Sequence, residues 1–289
     1  MKKILISIAL VLGNIFTGLC DGQLNLVPAP NKVIKGEGKW VVKNGLTIVS
    51  TDVKDFSANY LQDKLDDVFD FPVVVSSQQK GDGCIVFATD KNIPSEGYKL
   101  EVTEKGITIT SSDKSGQYYG MQTLLQLFPA GIYSGNNLRI KEYPIDVLTI
   151  EDAPRFSYRG FMLDVSRTFF DLDYLRNYID WMSSHKLNRL HLHLTDDNGW
   201  RIEIKKYPEL TRKGAWRGQN ELLPPTYLSG AERYGGYYTQ KEMKELIAYA
   251  QKRNVMIIPE FDLPGHARSS TAVFGDVTCG THTDKPSAC

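Results

Sequence analysis

Three apolar segments in the second half of the chain end in side chains suited to acid–base catalysis or to sugar binding. The segments, each with the residue that it supplies, are 158–167 with Arg167, 189–200 with Asp196 and 255–266 with His266. A carboxylate that accepts a hydrogen bond from an imidazole fixes the tautomer of the ring, and the other ring nitrogen can then tune a third group. We therefore expect Asp196 and His266 to form a hydrogen-bonded pair in a site for general acid–base chemistry.

Other side chains in this half offer hydrogen-bond donors and aromatic surface. Arg167 presents a fork of donors that suits sugar hydroxyls or a carboxylate. Asp164 lies among apolar residues of its strand, so it needs a partner if it is buried, and an arginine is the obvious kind. Trp200, Trp216 and Tyr237 are candidate platforms for stacking on a pyranose ring, although a single aromatic residue is more often part of the core.

The His191-Leu-His193 pattern also raises a metal hypothesis. On a strand the two imidazoles lie on the same face, which suits zinc ligation in a metal-dependent barrel hydrolase. Only His266 offers a third imidazole near them in strand order, and the sequence contains no His-Glu-x-x-His or Cys-x-x-Cys motif. Metal-dependent hydrolysis therefore stays an alternative, and the main hypothesis requires no metal and no cofactor.

The three apolar segments alternate with two helix signals, as in parallel α/β folds. Asp171 can cap a helix that runs to about Lys186, and Thr239-Gln-Lys-Glu242 is a capping-box sequence that opens a helix to Arg253. The strands are short and strongly apolar, as parallel strands covered on both faces should be. Because barrel active sites lie at the C-terminal ends of strands, we expect the functional residues to meet there. The long loop over 201–237 is expected to shape a substrate cleft.

The first half of the chain has a different character. Its β-branched runs predict five strands, over 46–50, 72–76, 84–88, 98–103 and 107–110. The helical spacing of its apolar residues predicts two helices, over 56–69 and 116–128. No concentrated set of catalytic residues occurs here, which favours a supporting module. We predict an α/β protein in which an N-terminal α+β domain (23–150) precedes the first part of a (β/α)8 TIM barrel (151–289).

Charge and the N-terminus limit the classes of protein to consider. The charge is balanced, with 34 basic and 34 acidic residues, so the sequence has no basic footprint for nucleic acid. Lys2 and Lys3 precede an apolar run over 4–12, which predicts a signal peptide (1–22), export and no stable membrane span. The expected location is the periplasm, the outer membrane or the outside of the cell, and Cys20 keeps lipidation open as a minority alternative.

The remaining cysteines divide into two kinds. Cys84 lies in an apolar run, which predicts a buried free thiol. Cys279 and Cys289 lie in a polar tail of an exported protein, so a disulfide between them stays open.

Four motifs, taken together, resemble the family 20 glycoside hydrolases, the β-N-acetylhexosaminidases. They are Arg-Gly-Phe-Met-Leu-Asp-Val-Ser-Arg167, His-Leu-His-Leu-Thr-Asp-Asp-Asn-Gly-Trp200, Gly-Gly-Tyr-Tyr-Thr239 and Pro-Glu-Phe-Asp-Leu-Pro-Gly-His266. They occur in the family's order and at its spacing. The resemblance covers nearly all of the sequence after the signal peptide, and the region before residue 150 resembles the α+β domain that precedes the barrel in this family.

The resemblance implies a retaining, substrate-assisted mechanism in which the 2-acetamido carbonyl of the sugar attacks the anomeric carbon. It implies that Arg167 holds hydroxyls of the terminal sugar and that Asp196 and His266 form a relay behind the acid glutamate. It also implies that Asp262 supports the site, through Arg167. The implied substrate is the terminal N-acetylhexosamine of glycans or chito-oligosaccharides, and no cofactor is implied.

The sequence departs from the family pattern at one point. The family's Gly-Gly-Asp-Glu signature, which carries the acid glutamate and its aspartate neighbour, is absent, and no Asp-Glu dipeptide follows Asp196. From the sequence we therefore expect an inactive fragment of a hexosaminidase, with a non-catalytic sugar-binding module as the alternative. If the chain proved active, Glu260 would be the first residue to test as the acid.

Overall fold

The first half of the chain forms a seven-stranded mixed sheet with two helices packed against it. The computed structural model of the protein describes residues 24–79, 81–227 and 229–275. The elements of this half are β1 (Lys32–Val42), β2 (Thr47–Val49), α1 (Phe56–Asp66), β3 (Val74–Ser76), β4 (Cys84–Thr89), β5 (Tyr98–Thr103), β6 (Gly106–Ser111), α2 (Lys114–Leu125), a 3-10 helix (Ala130–Tyr133) and β7 (Tyr143–Asp152). The strand order is β1-β7-β5-β6-β4-β2-β3. This architecture agrees with the predicted α+β character.

Several features of this half differ from the predicted elements. β7, like β1, has no predicted counterpart, and α2 runs from Lys114 to Leu125 where the sequence predicts 116–128. α1 ends at Asp66 because the chain turns there, and Phe69 forms a β-bridge with Ile140 instead of continuing the helix. The edge strand β1 has no counterpart among the predicted strands, because it is exposed along almost its whole length and lacks a buried apolar period. Its lysines and a shift of register between Lys35 and Lys39 are typical of a protected sheet edge.

The second half contains a three-stranded parallel sheet, in which the strand over 189–193 lies between the strands over 160–164 and 256–260. Its elements are β8 (Gly160–Asp164), α3 (Leu172–Ser184), β9 (Arg189–His193), β10 (Thr195–Asp196), β11 (Gly199–Trp200), α4 (Glu209–Arg212), β12 (Trp216–Arg217), β13 (Tyr234–Gly235), α5 (Gln240–Lys252), β14 (Met256–Glu260) and α6 (Arg268–Thr271). The alternation of parallel strands with the long helices α3 and α5 confirms the predicted first part of an α/β barrel. The sheet does not close within the described residues.

Local sequence signals explain where the two long helices begin. Asp171 accepts a hydrogen bond from the amide of Tyr174 at the start of α3. Thr239 and Glu242 form a reciprocal capping box at the start of α5. The inner faces of both helices share one hydrophobic core with β9, whose Leu190 is fully buried. Both helix starts lie where the sequence predicts them.

The two outer strands of the parallel sheet are far more exposed than the central one. Phe161 and Met162 on β8 and Met256 on β14 each keep about half of their surface exposed, whereas the leucines of β9 are buried. Strand edges without partners and exposed apolar side chains lower the local stability. This arrangement agrees with the expectation that three strand–helix units do not close a barrel.

Ion pairs and hydrogen bonds join the two halves. Arg159 Nη2 lies 2.9 Å from the carboxylate of Glu96. Lys186 Nζ lies 2.9 Å from the carboxylate of Asp152 and 2.8 Å from the hydroxyl of Tyr98. Lys186 is almost completely buried, so the loss of Asp152 would leave an unpaired charge in the interface. These contacts hold the barrel strands against the sheet of the first half.

We expect limited proteolysis of the 289-residue chain to cut the second half before the first. Within the described residues, two of the three strands of the parallel sheet lie at an edge, against two of seven in the first half, so local opening should cost less free energy in the parallel sheet. Mass spectrometry of the early fragments should show a protected product that ends near residue 150. A protected product from the second half, with the first cuts inside 24–150, would contradict this prediction.

Several predictions concern cysteines and the chain ends. Cys84 is buried and forms no disulfide, as predicted. The predicted signal peptide with Cys20, and the pair Cys279 and Cys289, lie outside the described residues. In the part of the chain that the structure describes, no helix has both the length and the apolar character needed to cross a membrane.

Candidate active site

The C-terminal ends of the three parallel strands carry the candidate catalytic residues. The strand register places Asp164 of β8 and Glu260 of β14 on either side of His193 of β9. The turns that follow these strands supply the three predicted residues, Arg167, Asp196 and His266. The structure brings these three together at one end of the sheet, as ion-pair distances to Asp196 show.

Asp196 lies at the centre of this site. Its side chain is only 2% exposed, and Arg167 Nη2 and His193 Nε2 lie 2.7 and 2.8 Å from its Oδ2. The amide of Asp197 donates to Oδ1 over 2.5 Å. Burial alone would raise the pKa of this carboxyl, but the hydrogen bonds from His193 and Asp197 and the charge of Arg167 outweigh burial and hold the pKa below its usual value. Asp196 is therefore an anion at neutral pH.

The imidazole that bonds most closely to Asp196 is His193 and not the predicted His266. His266 Nδ1 lies 3.4 Å from Asp196 Oδ1, and its side chain is nearly half exposed. His193 comes from the same strand segment as Asp196, three residues earlier, so the turn after β9 folds the carboxylate back onto it. The predicted pairing of Asp196 with His266 is therefore corrected. His193 makes the short hydrogen bond to Asp196, and His266 lies at ion-pair distance from Asp196 on the exposed side of the site.

Two aspartates hold the guanidinium of Arg167. Nη1 lies 2.6 Å from Asp164 and Nη2 lies 2.7 Å from Asp196. Asp164 also accepts hydrogen bonds from the backbone amides of residues 166 and 167. Its ion-pair partner Arg167 lies three positions further along the chain. The implied support of Arg167 by Asp262 is not found. Among the described residues, the ion-pair partner of Asp262 is His193, with 3.7 Å between Oδ2 and Nδ1.

His193 has a carboxylate beside each ring nitrogen. Nε2 faces Asp196, and Nδ1 lies 3.2 Å from Glu260 Oε1. The hydrogen bond to Asp196 raises the pKa of His193, burial opposes the rise, and the hydrogen bond to Glu260 adds to it, so that the pKa reaches about 9. His193 is therefore an imidazolium at neutral pH.

Glu260 bridges the two histidines of β9. Its Oε2 lies 2.6 Å from His191 Nε2, and its Oε1 faces His193. Burial would raise the pKa of Glu260, but the hydrogen bonds and charges of His193 and His191 outweigh it and lower the pKa. A carboxylate held in its ionised form is a poor proton donor, which argues against Glu260 as the general acid. The same carboxylate therefore contacts both imidazoles on this face of β9.

We expect the imidazole of His193 to stay protonated up to a pH of about 9 in the folded chain. Because this pKa lies above the ordinary value of 6.5, the ion pairs of His193 stabilise the fold fully below about pH 6.5. This stabilisation is lost as the pH rises through about 9. An NMR titration of the imidazole resonances, with a melting curve at each pH, measures both effects.

The control for this titration is a second histidine on the surface. His193→Gln should remove the transition near pH 9, whereas His185→Gln, on the exposed end of α3, should leave it unchanged. The assignment of His193 as an imidazolium is wrong if its resonance titrates near 6.5 in the unsubstituted chain.

Trp200 lies in the core and not on the substrate side. It is 8% exposed, its indole Nε1 donates to the carbonyl of Ile202, and its ring lies beside Phe261. Trp200 belongs to the short hairpin β10–β11, in which it pairs with Thr195, and this hairpin turns the indole inward. Its faces are therefore not available to a sugar, and the predicted stacking role of Trp200 is wrong.

The two other candidate aromatic residues differ from each other. The ring of Trp216 is covered by the guanidinium of Arg233, which lies 3.9 Å from the ring centroid. Tyr237 is 37% exposed and remains available for stacking. Of the three predicted platforms, Tyr237 is the most exposed, because Trp216 is only partly exposed and Trp200 is buried.

Two buried arginines beside the site, Arg201 and Arg217, were not among the predicted residues. Arg201 is fully buried and donates to backbone carbonyls next to Arg167, and Arg217 donates to the carbonyl of Arg167 itself. The one local signal that points to them is a repeated Trp-Arg pair, at Trp200-Arg201 and Trp216-Arg217. Their partners lie far away in the sequence, so this signal could not show what they bind.

Comparison with known protein families identifies the class of this site. The model for "Glycosyl hydrolase family 20, domain 2" matches residues 23–153, and the model for "Glycosyl hydrolase family 20, catalytic domain" matches residues 156–288. Carboxylates, imidazoles and an arginine at the C-terminal ends of parallel barrel strands are the arrangement of a barrel enzyme, and the two models define it as a glycoside hydrolase. The chain belongs to glycoside hydrolase family 20.

Individual relatives agree with this assignment. The chain is 36% identical over 272 residues to a beta-hexosaminidase of Porphyromonas gingivalis, covering 92% of this chain and 34% of that protein. It is 34% identical to the N,N'-diacetylchitobiase of Vibrio harveyi, covering 86% of this chain and 28% of that protein. The solved structure of the family 20 exo-β-N-acetylglucosaminidase of Vibrio harveyi in complex with N-acetylglucosamine superposes with a TM-score of 0.78 at 35% identity, covering 88% of this chain and 38% of that one. The chain thus spans about a third of the length of the curated relatives that it matches.

Proposed function

We propose that the second half of this chain forms the first part of the active site of an exo-acting β-N-acetylhexosaminidase. Its substrate would be a terminal β-linked GlcNAc or GalNAc of glycans or chito-oligosaccharides. The observation that carries the proposal is the cluster of Asp164, Arg167, Asp196 and His266 at the C-terminal ends of the barrel strands. Membership of family 20, and relatives named as hexosaminidases and chitobiase, support it.

The role proposed for Arg167 is to bind hydroxyls of the terminal sugar. A guanidinium has five N–H donors, and Asp164 and Asp196 fix its plane from one side. About a third of the Arg167 side chain remains exposed, at 32%, so a ligand can reach it. Held in this way, the guanidinium needs little further ordering when a sugar binds.

The role proposed for Asp196 and His266 is to orient and tune a general acid. The 2-acetamido carbonyl oxygen of the substrate would attack the anomeric carbon as the glycosidic bond breaks, and the acid would protonate the leaving oxygen. Water would then open the cyclic intermediate, with the acid now acting as a base. Asp196 would hold the imidazole of His266, whose other nitrogen would face the acid.

The proposal assigns the acid to a residue other than those that the structure describes. Glu260 is held ionised by His191 and His193, and the sequence contains no Asp-Glu dipeptide after Asp196. The 289-residue chain by itself is therefore expected to hydrolyse N-acetylhexosaminides at a negligible rate. General acid catalysis contributes about 10²–10⁴-fold, and its loss alone would account for this.

Hydrolysis of a chromogenic N-acetyl-β-glucosaminide tests the proposed function. Two proteins are compared: the 289-residue chain and a version extended at its C-terminus to the length of its relatives, called here the extended enzyme. Turnover by the extended enzyme alone is the expected result. The proposal fails if the soluble extended enzyme is inactive on both the glucosaminide and the galactosaminide. Robust turnover by the 289-residue chain would instead show that the acid lies within it, and Glu260→Gln would then be the first variant to measure.

We also propose that the protein is exported. The support is the sequence of residues 1–22, in which two lysines precede an apolar run. N-terminal sequencing of the protein recovered after expression in a bacterial host tests this proposal. A mature protein that begins near residue 23 is expected, and recovery of the intact Met1 terminus in the cytoplasm would contradict it.

A further inference from the structure

Two buried arginines, Arg201 and Arg217, bind the backbone that carries Arg167. Arg201 Nε donates to the carbonyl of Val165 over 3.1 Å, and its Nη2 donates to the carbonyl of Ser166 over 2.6 Å. Arg217 Nη1 donates to the carbonyl of Arg167 over 2.7 Å. Three consecutive carbonyls at the end of β8 are thus held by two guanidinium groups.

The other donors of these two arginines bind the long loop that precedes α5. Arg201 Nη1 donates to the carbonyls of Ala215 and Gly236, over 2.5 and 3.0 Å. Arg217 Nε donates to the hydroxyl of Ser229 over 3.1 Å. Each arginine therefore connects the loop that follows β11 with the backbone that follows β8.

Neither arginine forms an ion pair with a carboxylate within the residues that the structure describes, although both are almost completely buried. Burial lowers the pKa of Arg201 to about 10 and also lowers that of Arg217, so both stay protonated at neutral pH. A buried cation is costly unless its donors are satisfied. Backbone carbonyls accept from all three nitrogens of Arg201, and Arg217 donates to one carbonyl and one hydroxyl. This arrangement makes their geometry specific, because a lysine has three donors on one atom and cannot reach the same carbonyls.

The backbone at residues 165–167 is clamped from both sides. Asp164 accepts hydrogen bonds from the amides of Ser166 and Arg167, and the two buried arginines donate to the carbonyls. With the backbone fixed, the side chain of Arg167 can meet Asp164 and Asp196 in one conformation. A displacement of about 1 Å in such a group is enough to weaken its function strongly.

We propose that Arg201 and Arg217 are positioning residues for sugar binding, which set the place of the Arg167 guanidinium and couple it to the loop over 201–237. The proposal rests on the proposed function, because it assumes that Arg167 binds the terminal sugar. Neither arginine touches the substrate, and each acts through the backbone of Arg167.

A double-mutant cycle in the extended enzyme tests this proposal. Arg217→Lys should raise KM for the chromogenic glucosaminide about tenfold and change kcat by less than about threefold, because a charged hydrogen bond to the binding residue is lost. Arg167→Lys should raise KM by itself, and the double variant should be little worse than Arg167→Lys alone, because both substitutions disturb the same interaction. Arg212→Lys, which changes an exposed arginine of the same loop that pairs with Glu209, is the matched control and should leave KM unchanged.

The outcomes separate this inference from the proposed function. If Arg167→Lys leaves KM unchanged, the sugar-binding role of Arg167 fails, and the inference fails with it. If Arg167→Lys raises KM but the effect of Arg217→Lys adds to it in full, Arg217 does not act through Arg167 and the inference alone is overturned. The inference alone is also overturned if Arg217→Lys lowers kcat without raising KM.

Hydrogen exchange supplies a readout that does not depend on catalysis. In the 289-residue chain, Arg217→Lys should speed exchange of the amides of Ser166 and Arg167, because the carbonyl side of this segment is released. The amides of β5 and β6 in the first half should keep their exchange rates, which controls for folding. Arg201→Lys is expected to act in the same direction with a larger loss of thermal stability. Ser229→Ala is the milder second variant, because it removes the hydroxyl that accepts from Arg217 and, over 3.4 Å, from the amide of Thr226. Unchanged protection at residues 166 and 167 in both Arg217→Lys and Ser229→Ala would overturn the inference.

Discussion

Asp196→Asn is expected to lower kcat of the extended enzyme by about 10²–10³-fold, a loss in the range typical of general acid–base catalysis. The substitution keeps the shape of the side chain and removes the anion that His193, His266 and Arg167 surround. Without that charge, the imidazole of His266 loses the carboxylate that orients it beside the acid. KM should change by less, because Arg167 keeps its second carboxylate partner, Asp164, at 2.6 Å.

Steady-state kinetics on a chromogenic glucosaminide across a range of pH measures this effect. The pH profile of kcat should shift as well, because the charge next to the relay changes. Asp173→Asn is the matched control, since Asp173 is an exposed aspartate that pairs with Arg176 on the surface of α3. An increase in KM with kcat unchanged would show that Asp196 serves binding, and the relay assignment would then be wrong.

Arg167→Lys should act mainly on binding and raise KM by about 10–100-fold, as expected for the loss of one or two hydrogen bonds to a charged donor. A single ammonium group cannot contact Asp164 and Asp196 at once and still offer donors to a sugar. kcat should fall by less than about tenfold if the guanidinium binds ground state and transition state alike.

The matched control for this variant is Arg176→Lys, which changes a partly exposed arginine on the surface of α3 that also pairs with an aspartate three residues away. It should leave both constants unchanged. A large fall of kcat in Arg167→Lys with KM unaltered would mean that the guanidinium stabilises the transition state only, and the proposed binding role would have to be replaced.

The corrections to the predicted site have a common origin. His193 was considered only as a metal ligand, yet it is the imidazole closest to Asp196 and it also binds Glu260. Trp200 was expected on the substrate side, and its indole instead donates to a backbone carbonyl in the core. In both cases the partner of the side chain depends on the direction in which a short turn or hairpin points it.

The two halves of the chain were predictable to different extents. In the barrel half, an aspartate or threonine cap and a regular apolar period mark each long helix, and these signals are complete within a few residues. In the first half, β1 and β7 together form the longest strand pair, yet β1 lies at an exposed edge and carries no apolar period. A strand of this kind is stabilised by its pairing and not by its own composition, so a local pattern does not reveal it.

The sequence by itself determined the order of strands and helices in the barrel half and the convergence of Arg167, Asp196 and His266 at one end of the sheet. These follow from local signals, because apolar periods and caps fix each element, and parallel strands bring their C-terminal ends to one edge. Only the tertiary structure decided which groups pair there. The contacts of Asp196 with His193 and of Asp164 with the amides of residues 166 and 167 lie within three residues, and they depend on how the turn after each strand folds back. The contacts of Arg201 and Arg217 with carbonyls up to 50 residues away depend on where the long loop returns to the sheet. Hydrogen bonds act over about 3 Å, so they are set by the folded position of each chain segment and not by the order of residues along it.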